Sequence, residues 1–162
     1  DTGSFQYKGV SSTTHDIISS LLKYGIDNNK IYNNVYNSNE ISKLKLLSVA
    51  LKNLELIIDK KTALMHICQN DLIKNNYKKG DSEGIVNYGL TLSGIQFSVI
   101  FIEDENEKNK FKISFRSKED FPCNEFASIF FDGGGHLNAA GGIFIGNLNS
   151  AIEYFKKSLN EF

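Results

Sequence analysis

The sequence predicts an α+β protein in which a mixed β-sheet with flanking helices is preceded by a long helix. Three observations carry this prediction. Apolar residues recur every three or four positions over residues 40–58, which is the period of a helix. They alternate with polar residues over residues 111–116, which is the period of a half-buried strand. Helical and extended patterns then follow one another to residue 162, so both kinds of element belong to one domain.

Length and composition indicate an ordinary globular protein. The 162 residues fit one domain, or one domain plus a fragment of another. Hydrophobic residues make up 41 % of the chain, enough for a core. The formal net charge of −1 excludes the broad basic surface of a protein that coats long nucleic acid, so any nucleic acid partner should be short. Cys68 and Cys123 form neither a disulfide framework nor a zinc pattern. No apolar run approaches roughly 20 residues, and we expect a cytoplasmic protein with no membrane partner.

The first 60 residues predict two helices and an irregular connection. One helix should begin near Thr14, whose hydroxyl can cap free amides, and end at Gly25. The following stretch, through Asn39, is rich in Asn and Tyr and predicts an irregular connection. The pattern over residues 40–58 then predicts one long helix, which could join two halves of the protein.

Residues 61–162 predict the sheet domain. Strands are expected over residues 62–68, 94–103 and 111–116 and around residues 143–145. Short helices are expected over residues 71–79 and 124–130, and a final helix from residue 149. Residues 104–110 are charged and predict a turn, and the glycine-rich segment after residue 130 predicts a loop.

The strongest candidate for a functional site is Gly133-Gly134-Gly135-His136, which is followed by small residues at positions 139–142. Consecutive glycines lose backbone entropy and pack nothing, so a fold keeps them where the backbone must come close to something. Successive amides of such a loop can form a concave anion site. His136 can add a hydrogen bond or a positive charge to it. The alternative is a tight turn with a surface histidine.

Arg116 and Ser117 are the second candidate. A guanidinium presents a planar fork that matches a phosphate or a carboxylate, and a serine hydroxyl can donate one more hydrogen bond. Arg116 lies on the polar face of its predicted strand, near the strand's end. The alternative is an edge-strand arginine in a surface ion pair, and the spacing alone favours that alternative.

Other candidates depend on single residues. Asp1 precedes a glycine turn, where a carboxylate suits a hard cation such as Mn²⁺ or Mg²⁺, although one carboxylate does not make a metal site. His15 is interpreted as a residue of a solvated helix end, and His66 as a structural histidine with satisfied hydrogen bonds. Residues 81–87 could be a functional loop or the entry to a strand, and the spacing does not decide between them.

Taken together, four strings of the sequence resemble DHH-family phosphoesterases, in the RecJ-like branch of nano-RNases and adenosine bisphosphate phosphatases. They occur here in the same order as in that family: Asp1-Thr2-Gly3-Ser4-Phe5, Glu83-Gly84-Ile85-Val86-Asn87, Phe115-Arg116-Ser117-Lys118, and Gly133-Gly134-Gly135-His136 with Ala139-Ala140-Gly141.

The resemblance implies a two-domain enzyme that hydrolyses short oligonucleotides or nucleoside bisphosphates. A DHH domain would hold two Mn²⁺ ions, and a DHH-associated domain would grip the substrate. Residues 1–38 would be a C-terminal remnant of the DHH domain, residues 39–60 the linker helix, and residues 61–162 the DHH-associated domain. The metal ligand would be Asp1, and the substrate-binding residues would be Arg116, Ser117, Gly133, Gly134, Gly135 and His136.

The sequence departs from the family pattern because it contains no Asp-His-His string. The resemblance therefore implies that the chain lacks most of the metal site and all catalytic residues, is inactive alone, and has the missing DHH domain as a partner. Two alternatives are a non-catalytic nucleotide- or RNA-binding module, similar to one in alanyl-tRNA synthetases, and a cyclic-dinucleotide or polyphosphate hydrolase. The sequence leaves open the exact substrate, the preferred metal and the oligomeric state, a homodimer included.

Overall fold

The computed structural model describes residues 2–6 and 8–162, and the chain divides into two compact units, Asp1–Asn39 and Glu40–Phe162. The first unit contains helices α1 (Ser12–Lys23) and α2 (Asn28–Tyr36). The Ser11 hydroxyl caps α1 by accepting a hydrogen bond from the Thr14 amide at 3.3 Å. The predicted first helix is confirmed, with its start two residues earlier than expected.

Helix α2 contradicts the irregular connection predicted for this stretch. Asparagine has a low helix propensity because its side chain competes for backbone hydrogen bonds. Here the asparagine side chains bond to one another along the helix instead. Asn33 donates to Asn29 at 2.8 Å and Asn37 donates to Asn33 at 2.7 Å, while Asp27 caps the first turn. These bonds at four-residue spacing offset the unfavourable propensity.

The second unit is built around a six-stranded mixed sheet. Its strands are β1 (Glu55–Ile57), β2 (Thr62–Ile67), β3 (Phe97–Glu103), β4 (Lys110–Ser117), β5 (Gly134–His136) and β6 (Ala139–Ile145). The order across the sheet is β1-β2-β3-β4-β6-β5. Strands β2 and β3 pair in parallel, and the other four pairs are antiparallel. The helices of this unit are α3 (Ile41–Lys52), α4 (Gln69–Lys74), α5 (Asn87–Leu90), α6 (Cys123–Phe130) and α7 (Leu148–Glu161). This is the predicted α+β class.

The long helix expected over residues 40–58 is shorter than predicted, since α3 ends at Lys52. Asn53 occupies the C-cap position, and its side-chain amide donates to the His66 carbonyl at 3.1 Å. The next residues pair with β2 as strand β1, with Glu55 opposite Leu64. A 3₁₀ turn (Ile58–Lys60) then reverses the chain. Leu54 and Ile58 match the helical period, but Leu54 lies between α3 and β1, and Ile58 begins the 3₁₀ turn.

Each face of the sheet carries a hydrophobic core. On one face, α6 and α7 cover a cluster rich in phenylalanine that includes Phe97, Phe101, Phe111, Phe115, Phe126, Phe131 and Phe155. On the other face, the core joins Met65, Ile67 and Ile100 to Leu46, Ala50, Leu72, Ile85 and Val86. The alternation predicted over residues 111–116 is confirmed, because Phe111, Ile113 and Phe115 are buried in the first core. Lys112, Ser114 and Arg116 therefore point to the opposite face.

The predicted charged turn connects β3 to β4. The Asp104 carboxylate accepts hydrogen bonds from the amides of Asn106 at 2.9 Å and Glu107 at 3.2 Å. It also pairs with the Lys112 ammonium at 2.8 Å. Chiefly because of Lys112, and then of the Asn106 amide, the pKa of Asp104 is lowered to about 2. The turn is thus stabilised by a carboxylate that favours its charged form.

Candidate functional site

Arg116 and His136 lie in one row across three strands of the sheet. Arg116 of β4 pairs with Ala139 of β6, and Ala139 pairs with His136 of β5. Residues that pair in this way point to the same face. Neighbouring strands are about 4.8 Å apart, so the Cα atoms of Arg116 and His136 are separated by about 10 Å. The sheet therefore brings together two candidates that are distant in sequence.

The adjacent row carries almost no side chains. Ser114 of β4 pairs with Gly141 of β6, which pairs with Gly134 of β5. We call this surface the open face and define it by its members: Ser114, Arg116, Gly134, His136, Ala139 and Gly141. Gly134 and His136 are exposed, and the other four are half-buried. The open face is thus a smooth floor with a guanidinium on one side and an imidazole on the other.

The environment of Arg116 contradicts the alternative of an edge-strand ion pair. Strand β4 lies between β3 and β6, so it is not an edge strand. One guanidinium nitrogen, Nη1, donates to the Phe115 carbonyl at 2.8 Å. Within residues 2–6 and 8–162, no acidic side chain forms an ion pair with Arg116. The charge is therefore not neutralised by the part of the protein that the structure describes.

The structure places Ser117 away from the open face. Because side chains alternate along β4, the Ser117 side chain points to the face opposite that of Arg116, and the residue is buried. Its hydroxyl donates to the Phe121 carbonyl at 2.7 Å and accepts from Nδ2 of Asn138 at 2.9 Å. The expected substrate contact of Ser117 stays a prediction, and this placement does not support it.

The glycine segment is a strand and not the predicted concave loop. Strand β5 (Gly134–His136) lies at the edge of the sheet, and β6 rather than a helix follows it. The Gly133 amide donates to the Ala127 carbonyl at 3.1 Å, so this N–H is not free to bind an anion. The segment forms a strand because two of its glycines allow β5 to approach β6 closely. The predicted nest of successive amides is therefore wrong, although the segment still borders the open face.

The three glycines differ in what a side chain would contact. A Cβ on Gly133 would collide with the Gly141 carbonyl oxygen and lie 2.8 Å from Cα of Gly142. A Cβ on Gly135, which has a φ of +150°, would collide with the Ala139 carbonyl oxygen. Around Gly134 nothing described lies within 4 Å of such an atom, and its φ is not in the left-handed region. Gly133 and Gly135 are thus required by packing, whereas Gly134 keeps the open face free.

Residues 81–87 lie beside the same face. Gly84 adopts a φ of +81° in a turn that leads into α5. The Val86 carbonyl accepts a hydrogen bond from the Ser98 hydroxyl at 2.7 Å, and Ser98 is the residue of β3 that pairs with Arg116. A Cβ on Gly89 would collide with Ser98, so α5 packs directly on this strand. The segment whose role the spacing left open is therefore a border of the open face next to Arg116.

The other two histidines lie elsewhere. His15 stacks on Phe5 with ring centroids 5.1 Å apart, within the first unit. His66 is half-buried in β2, and burial lowers its pKa. Its Nδ1 atom is buried and has no hydrogen-bond partner among the described residues. The interpretation of His66 as a fully satisfied histidine is therefore wrong for this atom.

Residues 60–162 match the DHHA1 domain family, and they make up more than half of the chain. The chain belongs to this family. The resemblance drawn from the four strings is therefore confirmed. The DHHA1 domain contains the whole open face.

Similarities to individual proteins are consistent with this family. The chain is 32 % identical, over 142 residues, to the probable bifunctional oligoribonuclease and PAP phosphatase NrnA of Streptococcus mutans. It is 41 % identical to an exopolyphosphatase-related protein from Bacteroides fragilis, whose structure matches 99 % of the chain with a TM-score of 0.93. A pGpG-specific phosphodiesterase from Vibrio cholerae shares the fold at 11 % identity, with a TM-score of 0.51. The chain spans 44 %, 46 % and 54 % of these three proteins, respectively.

The described residues do not form a site for Mn²⁺. Asp1, the expected metal ligand, lies outside the described residues. Across residues 2–6 and 8–162, no group of three or more His, Cys, Asp and Glu side chains is placed to hold a metal ion. In the same part of the chain, no helix has the length and apolar character required to cross a bilayer.

Sequence reasoning missed Asn138, which connects the DHHA1 domain's two candidate segments. Its side-chain amide donates to Oγ of Ser117 and, at 3.0 Å, to the Glu119 carbonyl. Its own carbonyl accepts from the Ser117 amide at 3.1 Å. An asparagine between His136 and a small-residue run is a turn signal, but its partners lie at the end of β4 and just after it, and they cannot be inferred from local sequence.

Proposed function

We propose that this DHHA1 domain binds the substrate of a metal-dependent phosphoesterase that hydrolyses short oligonucleotides or nucleoside bisphosphates. A phosphate of the substrate lies on the open face, between Arg116 and His136. The observation that carries the proposal is the Arg116 guanidinium, which forms no ion pair with a described acidic side chain and shares a row with His136 beside a floor of glycine and alanine. The name of the Streptococcus mutans relative supports this class of substrate.

The contribution of this domain is binding and orientation. A guanidinium can form two parallel hydrogen bonds to one phosphate, and such charge-assisted pairs are roughly twice as strong as neutral ones. The smooth row of Ser114, Gly141 and Gly134 lets the sugar-phosphate backbone lie close to the strands. Fixing the substrate in this way lowers the entropy that a later chemical step must lose.

We infer that hydrolysis requires the DHH domain, which would hold the two Mn²⁺ ions. The chain spans less than half of the Streptococcus mutans and Bacteroides fragilis proteins, and the rest of each is long enough for such a domain. In the described part of Asp1–Asn39 no residue is buried, although Ile17, Leu22, Ile31 and Val35 are large and apolar. Such exposed apolar faces are typical of a fragment that is covered by a partner, which supports its origin as a remnant of the DHH domain.

A polyphosphate is the second candidate substrate. The Bacteroides fragilis protein, which is 41 % identical to this chain, is described as exopolyphosphatase-related. A polyphosphate would use the same phosphate site but would make no use of a sugar or a base. The requirement for a nucleoside therefore separates the two substrates.

Calorimetric titration of the chain with a 5′-phosphorylated dinucleotide and with tripolyphosphate tests the proposal. We expect the dinucleotide to bind in the micromolar to millimolar range and more tightly than tripolyphosphate at equal ionic strength. Tighter binding of tripolyphosphate would favour the second candidate. Absence of binding for both ligands up to about 10 mM, where even a very weak site is occupied, would contradict a phosphate site on this domain.

A further inference from the structure

The hairpin that carries His136 has an unusual turn. Because His136 pairs with Ala139, strands β5 and β6 are connected by Leu137 and Asn138 alone. Two-residue hairpins are most favourable when the turn residues have positive φ, since only those turns match the twist of the strands. Neither Leu137 nor Asn138 has a φ in the left-handed region. The conformation of this turn must therefore be supported by contacts from outside the hairpin.

Those contacts come from Ser117, the last residue of β4, and from the segment that follows it. Asn138 donates from Nδ2 to Oγ of Ser117 at 2.9 Å and to the Glu119 carbonyl at 3.0 Å, and its carbonyl accepts from the Ser117 amide. The Leu137 carbonyl accepts from the Cys123 amide at 2.9 Å. We call the bonds of Asn138 to Ser117 and Glu119 the clasp. The clasp uses both hydrogens of the Asn138 side-chain amide, and Asn138 is half-buried.

The two ends of the clasp lie next to the two ligand-facing residues. Ser117 follows Arg116 directly on β4, and Asn138 lies two positions after His136. We propose that Asn138 is a positioning residue, whose clasp holds His136 in the same row as Arg116. This inference rests on the proposed function of the open face, and it also gives Ser117 a role that fits its buried hydroxyl.

Asn138→Ala tests the clasp in the 162-residue chain. Loss of the two donors should weaken binding of a 5′-phosphorylated dinucleotide about tenfold, the effect of about one lost net hydrogen bond. If Asn138 acts through His136, the losses of affinity caused by Asn138→Ala and by His136→Ala are not additive. In the His136→Ala background, Asn138→Ala should then change the affinity less than about twofold, whereas in the Arg116→Ala background it should keep most of its effect. A full tenfold effect in the His136→Ala background would overturn the inference.

Amide hydrogen exchange tests the clasp without a ligand. Asn138→Ala should accelerate exchange in the β5–β6 hairpin about tenfold while β2 and β3 keep their protection. Asn147→Ala is the matched control, because it removes another asparagine that holds a backbone amide, that of Ser150 at 2.9 Å. It should leave the hairpin unchanged.

The outcomes separate the two proposals. Unchanged exchange in the hairpin of Asn138→Ala would refute the clasp even if the dinucleotide binds. Lack of dinucleotide binding by the wild-type chain would refute the proposed function and leave exchange to decide on the clasp. If Asn138→Ala does not fold, Ser117→Ala replaces it, because this variant removes one of the two acceptors of the clasp. Its hydrogen exchange and its affinity for the dinucleotide are measured in the same way. If both are unchanged, the clasp is refuted.

Discussion

Arg116 and His136 face the same surface of the sheet from opposite sides of Ala139. Ala139 contributes only a methyl group, so nothing larger separates the guanidinium from the imidazole along this row. The neighbouring row holds two glycines, which leave the backbone accessible. This arrangement accounts for the combination of a glycine run, an arginine and a histidine in one chain, because each borders the same patch of strand backbone.

Replacing Arg116 should weaken phosphate binding strongly. Arg116→Ala removes a charge-assisted contact that contributes about 1.5–3 kcal/mol, so the affinity for a 5′-phosphorylated dinucleotide should fall about 10- to 150-fold. Arg116→Lys should recover only part of the affinity, since an ammonium cannot bind a phosphate with a planar fork. Calorimetric titration measures both variants. Lys157→Ala is the control, because Lys157 is an exposed cation on α7. Equal affinity of Arg116→Ala and Lys157→Ala would contradict the assignment.

The glycines provide a matched pair of variants. Gly134→Val should abolish dinucleotide binding, because its side chain would project onto the open face, where no described atom lies within 4 Å of a Cβ. It should change the free energy of unfolding by less than about 1 kcal/mol, because its φ suits other residues. Gly133→Ala should instead destabilise the fold by about 1–3 kcal/mol through overpacking against Gly141. Thermal unfolding and titration compare the two. Normal binding by Gly134→Val would place the phosphate elsewhere.

The low pKa of Asp104 predicts how stability depends on pH. Folding lowers this pKa from 3.8 to about 2, so the folded state favours the carboxylate. The stabilisation is fully present above about pH 5 and is lost as the pH falls from about 4 to 2. Asp104→Asn should therefore be less stable than the wild type by about 1–2 kcal/mol at pH 7, a range discounted for the exposed Lys112 partner. Urea unfolding at pH 7, 4 and 2.5 should show the difference shrinking. A difference that does not change with pH would contradict this account of the turn.

The chain alone should not hydrolyse short oligonucleotides or adenosine bisphosphate, even with Mn²⁺ added. The reason is that its described residues form no cluster suited to hold a metal ion. Product release is followed by chromatography, with a preparation that is shown to be free of contaminating nuclease. Addition of the DHH domain of a relative, as a separate chain, should restore turnover. Sustained hydrolysis by the chain alone would show that the catalytic groups lie within it.

The part of the site that local sequence determines could be predicted. The alternation over residues 111–116 places Arg116 opposite the phenylalanine core, and the structure has the same arrangement. The same alternation places Ser117 with the core, but its chemistry and its position beside Arg116 suggested a substrate contact. The hydroxyl of Ser117 made it a candidate, but the direction of its side chain places that hydroxyl away from the open face.

The remainder depends on contacts between distant segments. Gly134 forms a strand and not a loop because it pairs with β6. No local sequence pattern predicts an edge strand made of glycines. Helix α3 ends at Lys52 because Glu55 pairs with Leu64, although the apolar period continues beyond it. The clasp joins Asn138 to Ser117 across the ends of two strands. Strand order and register determine all three features, and neither can be inferred from spacing alone.

The most direct test of the central claim is the structure of the chain bound to a 5′-phosphorylated dinucleotide. The account predicts a phosphate on the open face, within about 3 Å of the Arg116 guanidinium nitrogens and next to Gly134 and His136. A dinucleotide whose phosphates contact none of these three residues would contradict the account.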